Sequence, residues 1–237
     1  LHTHSADDNP MIRGLALRSI CSLRLANITE YVMAPIQKGL NDHSAYVRKT
    51  AVTGCIKVFY MSPTTVLNSG LVDQLERMLT DKDPQVVTNV ISALNEIQAE
   101  EGGIKVTKAV VHHLLNRIAD FSEWSQCSLL DITVKYAPMI EDEDEIFDIM
   151  NLLESRLSHS NMAVVLGTAK AFLQLTADMA DVQTDVYERL KAPLKQKFRQ
   201  SWNRLSTWIK GPKRNSGSKT TQAPQPTGSV ADVNGNL

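Results

Sequence analysis

Few residues in this chain of 237 have the types and spacing that chemistry requires. His112 and His113 are adjacent in an apolar segment, and neighbouring helical positions point about 100° apart, so the two rings are poorly placed to share one metal ion. We expect one ring to face inward and the other to lie at the surface. No set of cysteines and histidines in the sequence has metal-ligand spacing. We therefore predict neither a metal site nor a cofactor site.

Residues 141–145 form an acidic run directly before an apolar helical segment. Negative charge is favourable at a helix N-terminus because of the helix dipole. General acid–base catalysis would need a pocket and a shifted pKa, and the sequence indicates neither. We interpret the run as a solvated helix start.

Residues 217–220 have the composition of the end of a phosphate-binding loop. Ser218 interrupts the required Gly-Lys-Ser/Thr order, however, and no apolar strand precedes the segment. We predict no catalytic residue, no enzyme activity and no small-molecule substrate.

The three cysteines, Cys21, Cys55 and Cys127, are far apart and each lies in an apolar helical pattern. They are predicted to be reduced core residues, which indicates a reducing compartment. No stretch approaches the roughly 20 apolar residues that cross a bilayer, and the first residues lack the features of a signal peptide. We expect a cytosolic protein.

A helix-start pattern recurs along the chain, in which an N-cap residue precedes an apolar helical stripe. Its spacings are 35, 39, 39 and 39 residues, and the caps are Asn9, Ser44, Asp83, Ser122 and Asn161. A second set of helices is predicted at approximately 28–40, 66–79, 107–119, 144–157 and 182–194. Such helix pairs must stack to bury their stripes, so the predicted fold is all-α, an α-solenoid of HEAT or armadillo-like helical-hairpin repeats.

Several residues have predicted structural roles within these repeats. Arg13 and Arg48, each four residues after a cap, are expected to pair with acidic residues of adjoining turns. Close approaches between helices are predicted at the small residues Ala16, Ala51, Gly54, Ala93, Gly167 and Ala171. Because the chain starts without Met and directly ahead of a helix start, we expect a fragment whose first helical face is exposed and which behaves poorly alone.

The segment from Lys195 differs from the repeats in charge. Residues 1–194 carry 17 Lys and Arg against 25 Asp and Glu, whereas residues 195–237 carry 8 against Asp232 alone. Contacts with phosphate are therefore expected in the C-terminal segment, where a lipid surface is favoured over nucleic acid.

Within residues 195–210, apolar side chains follow helical spacing and predict a short basic amphipathic helix, at Phe198, Trp202, Leu205 and Ile209. Two interpretations stay open: a last helix packed on the repeats, which we favour, or contact with an anionic membrane or a partner groove. Residues 211–237 contain hardly any large apolar side chain and are predicted to be disordered. The predicted organisation is a repeat domain over 1–194, the basic segment and the tail.

The amino-acid sequence of the repeats is similar to that of the trunk of β-adaptins, the large β subunits of adaptor-protein vesicle-coat complexes. The segments that carry the resemblance are 9–19 (NPMIRGLALRS), 28–31 (ITEY), 46–51 (YVRKTA), 83–87 (DPQVV), 109–117 (AVVHHLLNR), 147–153 (FDIMNLL) and 182–186 (VQTDV). Residues 14–19 and the segment around His112 most resemble the β subunit of the fourth adaptor complex. The resemblance covers approximately residues 9–194, where the family would continue with further repeats.

This resemblance implies a scaffold subunit in a complex of two large, one medium and one small chain. The implied role is intracellular protein transport and vesicle-mediated cargo sorting, with peripheral association at the trans-Golgi network or vesicle membrane through the complex. The alternative is another HEAT-repeat protein-binding scaffold, such as a nuclear-transport receptor.

Overall fold

The computed structural model describes residue 5 and residues 7–23 and 29–210, without the side chains of 29–30 and 201–210. Within these residues the secondary structure consists of helices and turns, which confirms the all-α prediction. The first helices of the five pairs are α1 (Pro10–Ile20), α3 (Ala45–Met61), α6 (Pro84–Ile97), α8 (Glu123–Tyr136) and α10 (Met162–Leu175). The second helices are α2 (Thr29–Leu40), α4 (Pro63–Asn68) with α5 (Leu71–Arg77), α7 (Lys108–Asn116), α9 (Glu143–Leu153) and α11 (Ala180–Lys210).

The chain divides into two units, Leu1–Lys197 and Phe198–Leu237. In the first unit α1 packs on α3, α3 on α6, and α8 on α10, while α2 contacts both α1 and α3. The buried side chains form one cluster that runs from Leu17 to Leu190 and is dominated by Leu, Val and Ile. A strip of core that continues from pair to pair is the arrangement expected of stacked repeats. The predicted tail over 211–237 lies outside the described residues.

All five predicted caps are confirmed as the N-cap residues of α1, α3, α6, α8 and α10. Four of their side chains accept a backbone N–H from the first helical turn, whereas the Ser44 side chain does not. Capping replaces hydrogen bonds that the first turn of a helix cannot make internally. These local signals are why the starts of the first helices could be predicted from the sequence.

The second helices differ from the prediction at two places. The single helix expected over 66–79 is instead α4 and α5, because Pro63 starts α4 and Gly70 separates the two with a left-handed backbone, φ 72°. The helix expected over 182–194 continues to Lys210, with Pro193 inside it. The segment from 195 is rich in Lys, Arg and Gln and contains no glycine before Gly211, so nothing in it ends the helix.

The predicted close approaches occur where small residues face a neighbouring helix. A Cβ atom added at Gly54 would lie 2.9 Å from the Cys21 sulfur, and one at Gly167 would lie 3.0 Å from Cδ1 of Leu130. Both distances are shorter than normal van der Waals contacts. Glycine at these two positions therefore allows neighbouring first helices to pack closely.

Four of the five loops that precede the first helices share one hydrogen bond. The residue two positions before the cap accepts the backbone N–H of the cap residue, at 2.8–3.1 Å, with Asp7, Asp42, Asp81 and His159 as the acceptors. A short polar side chain that binds the backbone two residues later stabilises a turn. The repeat therefore extends into the loops as well as the helices.

Two arginines join consecutive loops. Arg13 donates to both carboxylate oxygens of Asp42, at 2.8 Å each, and to the carbonyls of Asp7 and Asp8 in its own loop. Arg48 repeats this arrangement one pair later: it binds the Asp81 carboxylate at 2.7 and 2.8 Å and two carbonyls of its own loop. The predicted pairing of both arginines with acidic residues is confirmed, and each partner lies in the loop of the following pair.

The third loop obtains its guanidinium from a different helix. Val87 stands at the position of Arg13 and Arg48, and Arg117 at the end of α7 donates instead to the carbonyls of Asp81 and Lys82, at 2.9 and 2.7 Å. These carbonyls are the same distance from the cap as those that bind Arg13 and Arg48. The second helix of the third pair therefore completes the loop that precedes the first helix of the same pair.

The ion pairs determine the protonation of the loop carboxylates. Hydrogen bonds from Arg13, assisted by the Ser44 N–H, hold the pKa of Asp42 below its ordinary value. For Asp81, burial raises the pKa, but hydrogen bonds from Arg48 and the Asp83 N–H outweigh it and the pKa is lowered. Both carboxyl groups are therefore ionised at neutral pH and bind the arginines as charged partners.

We expect Arg48→Ala to lower the free energy of unfolding by about 2 kcal/mol, because it leaves a largely buried carboxylate and two carbonyls without their donor. Urea denaturation followed by circular dichroism measures the change. Asp81 contributes stability above its unfolded pKa, near 3.8, and that contribution is lost as pH falls through its lower folded pKa. The variant should therefore lose less stability than the wild type below about pH 4.

Arg77→Ala is the control for this variant, since Arg77 is exposed on α5. Its effect should stay within about 0.5 kcal/mol. Equal losses in the two variants would contradict the role given to Arg48.

Candidate functional site

A buried carboxylate lies where α7, α8 and α9 meet. Glu145 is 6% exposed and contacts Lys108 Nζ at 2.8 Å, His112 Nε2 at 3.0 Å and the Tyr136 hydroxyl at 3.0 Å. The rest of the acidic run, residues 141–144, is exposed, as predicted. The prediction of a solvated helix start was wrong for Glu145, because this residue lies on the face of α9 that also buries Ile149 one turn later.

The protonation states of the groups in this cluster are those of a structural ion pair and not those of groups that transfer protons. Burial raises the pKa of Glu145, but hydrogen bonds from Lys108, His112 and Tyr136 outweigh it, so the pKa is lowered. Burial, together with the adjacent Glu145 carboxylate, raises the pKa of Tyr136 to about 12. Glu145 is therefore ionised and Tyr136 protonated at neutral pH, and the cluster links three helices.

The two histidines do not divide as predicted. Both are half-buried: His112 contacts Glu145, and His113 Nε2 lies 3.5 Å from Nη1 of Arg117. The prediction that one histidine ring faces inward and the other lies at the surface was wrong. Helix α7 has neighbours on both sides, so two of its faces are covered. Among the described residues, no group of three His, Cys, Asp or Glu side chains could hold a metal ion.

Two of the three cysteines are core residues, as predicted. Cys21 and Cys55 are buried, whereas Cys127 is only half-buried. Burial raises the pKa of Cys21 to about 11 and that of Cys55 to about 12. Both thiols therefore stay protonated near neutral pH, which makes them poor nucleophiles.

The first helices form a groove of about 420 Å³ on their solvent-exposed side, which we call the first-helix groove. It is lined by residues of α1, α3, α6 and the start of α8. Three cations line it, Arg18, Lys49 and Lys57, and its described lining residues include no Asp or Glu. The remaining lining residues are mainly hydroxyl and amide side chains, such as Thr53 and Asn89.

The lysines of the first-helix groove have neutral partners. Lys49 Nζ donates to the side-chain oxygen of Gln85 at 2.8 Å and lies 5.9 Å from the centre of the Tyr46 ring. Lys57 Nζ donates to the Ser22 hydroxyl at 2.9 Å. Their positive charge is therefore not neutralised by these contacts. Sequence reasoning missed this groove because its residues come from four helix pairs and follow no local motif.

Comparison with known proteins gives the family of the chain. The model of the family Cnd1, non-SMC mitotic condensation complex subunit 1, matches residues 11–174. Beta-adaptin-like protein A of Arabidopsis thaliana is 50% identical over 79% of this chain and 23% of its own length. AP-4 complex subunit beta-1 of Mus musculus is 44% identical over 80% of this chain and 25% of its own length. The chain belongs to the Cnd1 family and, through these relatives, to the β-adaptins.

Similarity differs between types of β-adaptin. AP-1 complex subunit beta-1 of Mus musculus is 33% identical over 79% of this chain and 20% of its own length, so this β-adaptin chain is nearer to the AP-4 subunit than to the AP-1 subunit. The chain spans about a quarter of the length of the Arabidopsis and AP-4 relatives. Among solved structures, a designed armadillo repeat protein matches with a TM-score of 0.42 and 18% identity over 73% of this chain and 79% of that chain.

The predicted contact residues of this β-adaptin chain lie on α11. Phe198 is 58% exposed there. Trp202, Leu205 and Ile209 belong to the same helix, but their side chains lie outside the described residues, so whether the four form one apolar face stays a prediction. No helix in the part of the chain that the structure describes is long and apolar enough to cross a membrane.

We expect Glu145→Ala to destabilise the β-adaptin fold by about 2 kcal/mol, because it leaves the buried hydroxyl of Tyr136 without an acceptor and Lys108 without a counter-charge. Thermal and urea denaturation measure the loss. Glu143→Ala is the matched control, since Glu143 is exposed in the first turn of the same helix and should contribute less than about 1 kcal/mol. Similar losses for the two variants would contradict a linking role for Glu145.

Proposed function

We propose that the chain is part of the trunk of a β subunit in an AP-4-type adaptor complex, where it acts as a scaffold in vesicle-mediated protein sorting. The observation that carries the proposal is the identity of 44% to AP-4 complex subunit beta-1 over 80% of the chain. The identity to the AP-1 relative is 33%, which favours the AP-4 type. The proposal places the protein in the cytosol, peripherally on trans-Golgi or vesicle membranes through its complex.

The structure supports a binding role in preference to catalysis. Stacked helix pairs offer long surfaces to partners without changes to the core. The array exposes large aromatic side chains, among them Trp124 at 80% and Tyr31 at 68% exposure, and such residues are enriched in protein interfaces. The buried charged groups have partners within the fold, as Glu145 and Asp81 do. We propose that the partners are a second large chain, a medium chain and a small chain, and that the protein is not an enzyme.

The proposal predicts selective binding of a medium subunit. In co-expression with medium subunits of the AP-1, AP-2 and AP-4 types, the full chain should retain the AP-4-type subunit most strongly after affinity purification. A designed helical-repeat protein with the same tag is the negative control. Retention of none of the three, by a chain shown to be helical by circular dichroism, would overturn the assembly proposal.

We also propose that the basic segment 195–210 contributes a contact of its own, through Phe198, Trp202, Leu205 and Ile209. Five basic residues accompany these side chains: Lys195, Lys197, Arg199, Arg204 and Lys210. A helix with apolar residues at helical spacing and a basic remainder suits an anionic membrane surface. The folded repeats, the basic segment and the tail beyond it would then be three functional parts.

Replacing these five basic residues by Gln should reduce co-sedimentation with vesicles that contain phosphatidylserine, and raising the salt concentration should have the same effect on the wild-type chain. Vesicles of phosphatidylcholine alone are the lipid control and should retain little of either protein. If the substitutions leave retention unchanged, the segment does not bind the membrane, and its last turns serve another purpose.

A further inference from the structure

We propose that the first-helix groove binds an extended, acidic peptide segment of a partner protein, with Arg18, Lys49 and Lys57 as the residues that recognise its carboxylates. This inference does not depend on the assembly proposed above, since it concerns a surface formed by α1, α3, α6 and α8 within the repeat unit.

The first argument is the charge of the groove. Residues 1–194 are acidic as a whole, with 25 Asp and Glu against 17 Lys and Arg. Arg13, Arg48 and Lys108 are all paired with carboxylates of this unit. The two lysines of the groove instead contact neutral side chains, those of Gln85 and Ser22. No acidic residue is among the described residues that line the groove. A positive groove in an acidic body is complementary to a negatively charged ligand.

The second argument is the partial burial of these cations. Lys49 and Lys57 are half-buried, and only Arg18 is exposed. Charges that are partly removed from water interact more strongly with a counter-charge and are screened less by salt. A carboxylate in the groove would therefore gain more than one that meets a lysine on the open surface.

The third argument is spacing, which favours a peptide over a lipid headgroup. Lys49 and Lys57 are eight residues apart on α3, or about 12 Å along the helix axis. One phosphate group would contact both lysines only if their side chains left their present partners, Gln85 and Ser22, and converged. An extended chain advances about 3.3 Å per residue and places alternate side chains on the same side, so carboxylates four residues apart are about 13 Å apart. An acidic peptide lying along α3 matches both lysines.

The neutral lining suits the backbone of such a peptide. Gln85 and Asn89 carry amide groups that both donate and accept hydrogen bonds, and Thr53 adds an exposed hydroxyl. An extended peptide presents N–H and C=O groups that need partners of both kinds. The volume of about 420 Å³ lies within the usual range for ligand sites.

Fluorescence anisotropy tests the proposal with the full chain and a labelled peptide of about ten residues that carries Glu at alternate positions. We expect the triple variant Arg18→Gln, Lys49→Gln and Lys57→Gln to weaken binding at least about tenfold. The matched control replaces one arginine and two lysines that are exposed elsewhere, Lys38→Gln, Arg77→Gln and Lys82→Gln, and should weaken binding less than about twofold. The basic C-terminal segment is identical in all variants, so the difference reports the groove.

A charge-conserving variant separates loss of charge from loss of fold. Arg18→Lys, Lys49→Arg and Lys57→Arg should bind within about threefold of the wild type, and circular dichroism melts should show that all variants are folded. Affinity of the wild type should fall as salt is raised, and more steeply than that of the groove variant.

Three results would overturn the proposal. The first is an equal loss of affinity in the groove variant and the matched control, which would indicate bulk charge. The second is equal binding of a peptide in which Gln replaces Glu. The third is a groove variant that keeps peptide affinity but no longer binds phosphoinositide vesicles or no longer self-associates in sedimentation, which would assign the groove to a headgroup or to a second copy of the chain.

Discussion

The binding of one guanidinium to two successive loops is the interaction on which the order of the array depends. Loops between helices contain carbonyl groups that have no helical partner, and burying them unpaired is costly. Arg13 and Arg48 each satisfy two such carbonyls and also bind the carboxylate of the next loop. Because the donors of a guanidinium lie in a fixed plane, these contacts restrict the distance and angle between the two loops that they join. The apolar stripes of consecutive helices can then meet in one register.

Two groups of cations in the repeat unit differ in the partners they have. Several that bind loops or connect helices have carboxylate partners and are part of the fold, as Arg48 and Lys108 show. Those that line the first-helix groove, Lys49 and Lys57, have neutral partners. Substitutions in the first group would remove ion pairs of the scaffold, whereas substitutions in the second group would leave these ion pairs intact. A repeat protein can therefore change partners without changing its architecture.

Local sequence signals predicted much of the fold but few of the side-chain contacts that join different helices and loops. The five caps and the apolar stripes are local patterns, so the starts of the first helices were predictable. Pro63 and Gly70 also indicate the division into α4 and α5, but the periodicity of the apolar residues favoured a single helix. The contacts of Glu145 and Arg117 were not predictable, because their partners lie up to 37 residues away and no spacing rule connects them.

Arg117 gives the array a dependence on the order of synthesis. The carbonyls of the first two described loops lie five or six residues before the arginines that bind them, so those loops can form as soon as the chain emerges. The carbonyls of Asp81 and Lys82 must wait for a residue 36 and 35 positions later. A ribosome that has just released α6 therefore presents a loop that is still open. The growing chain closes this loop only when α7 has followed, so both helices of the third pair, α6 and α7, are needed before this step in the assembly of the nascent protein is complete.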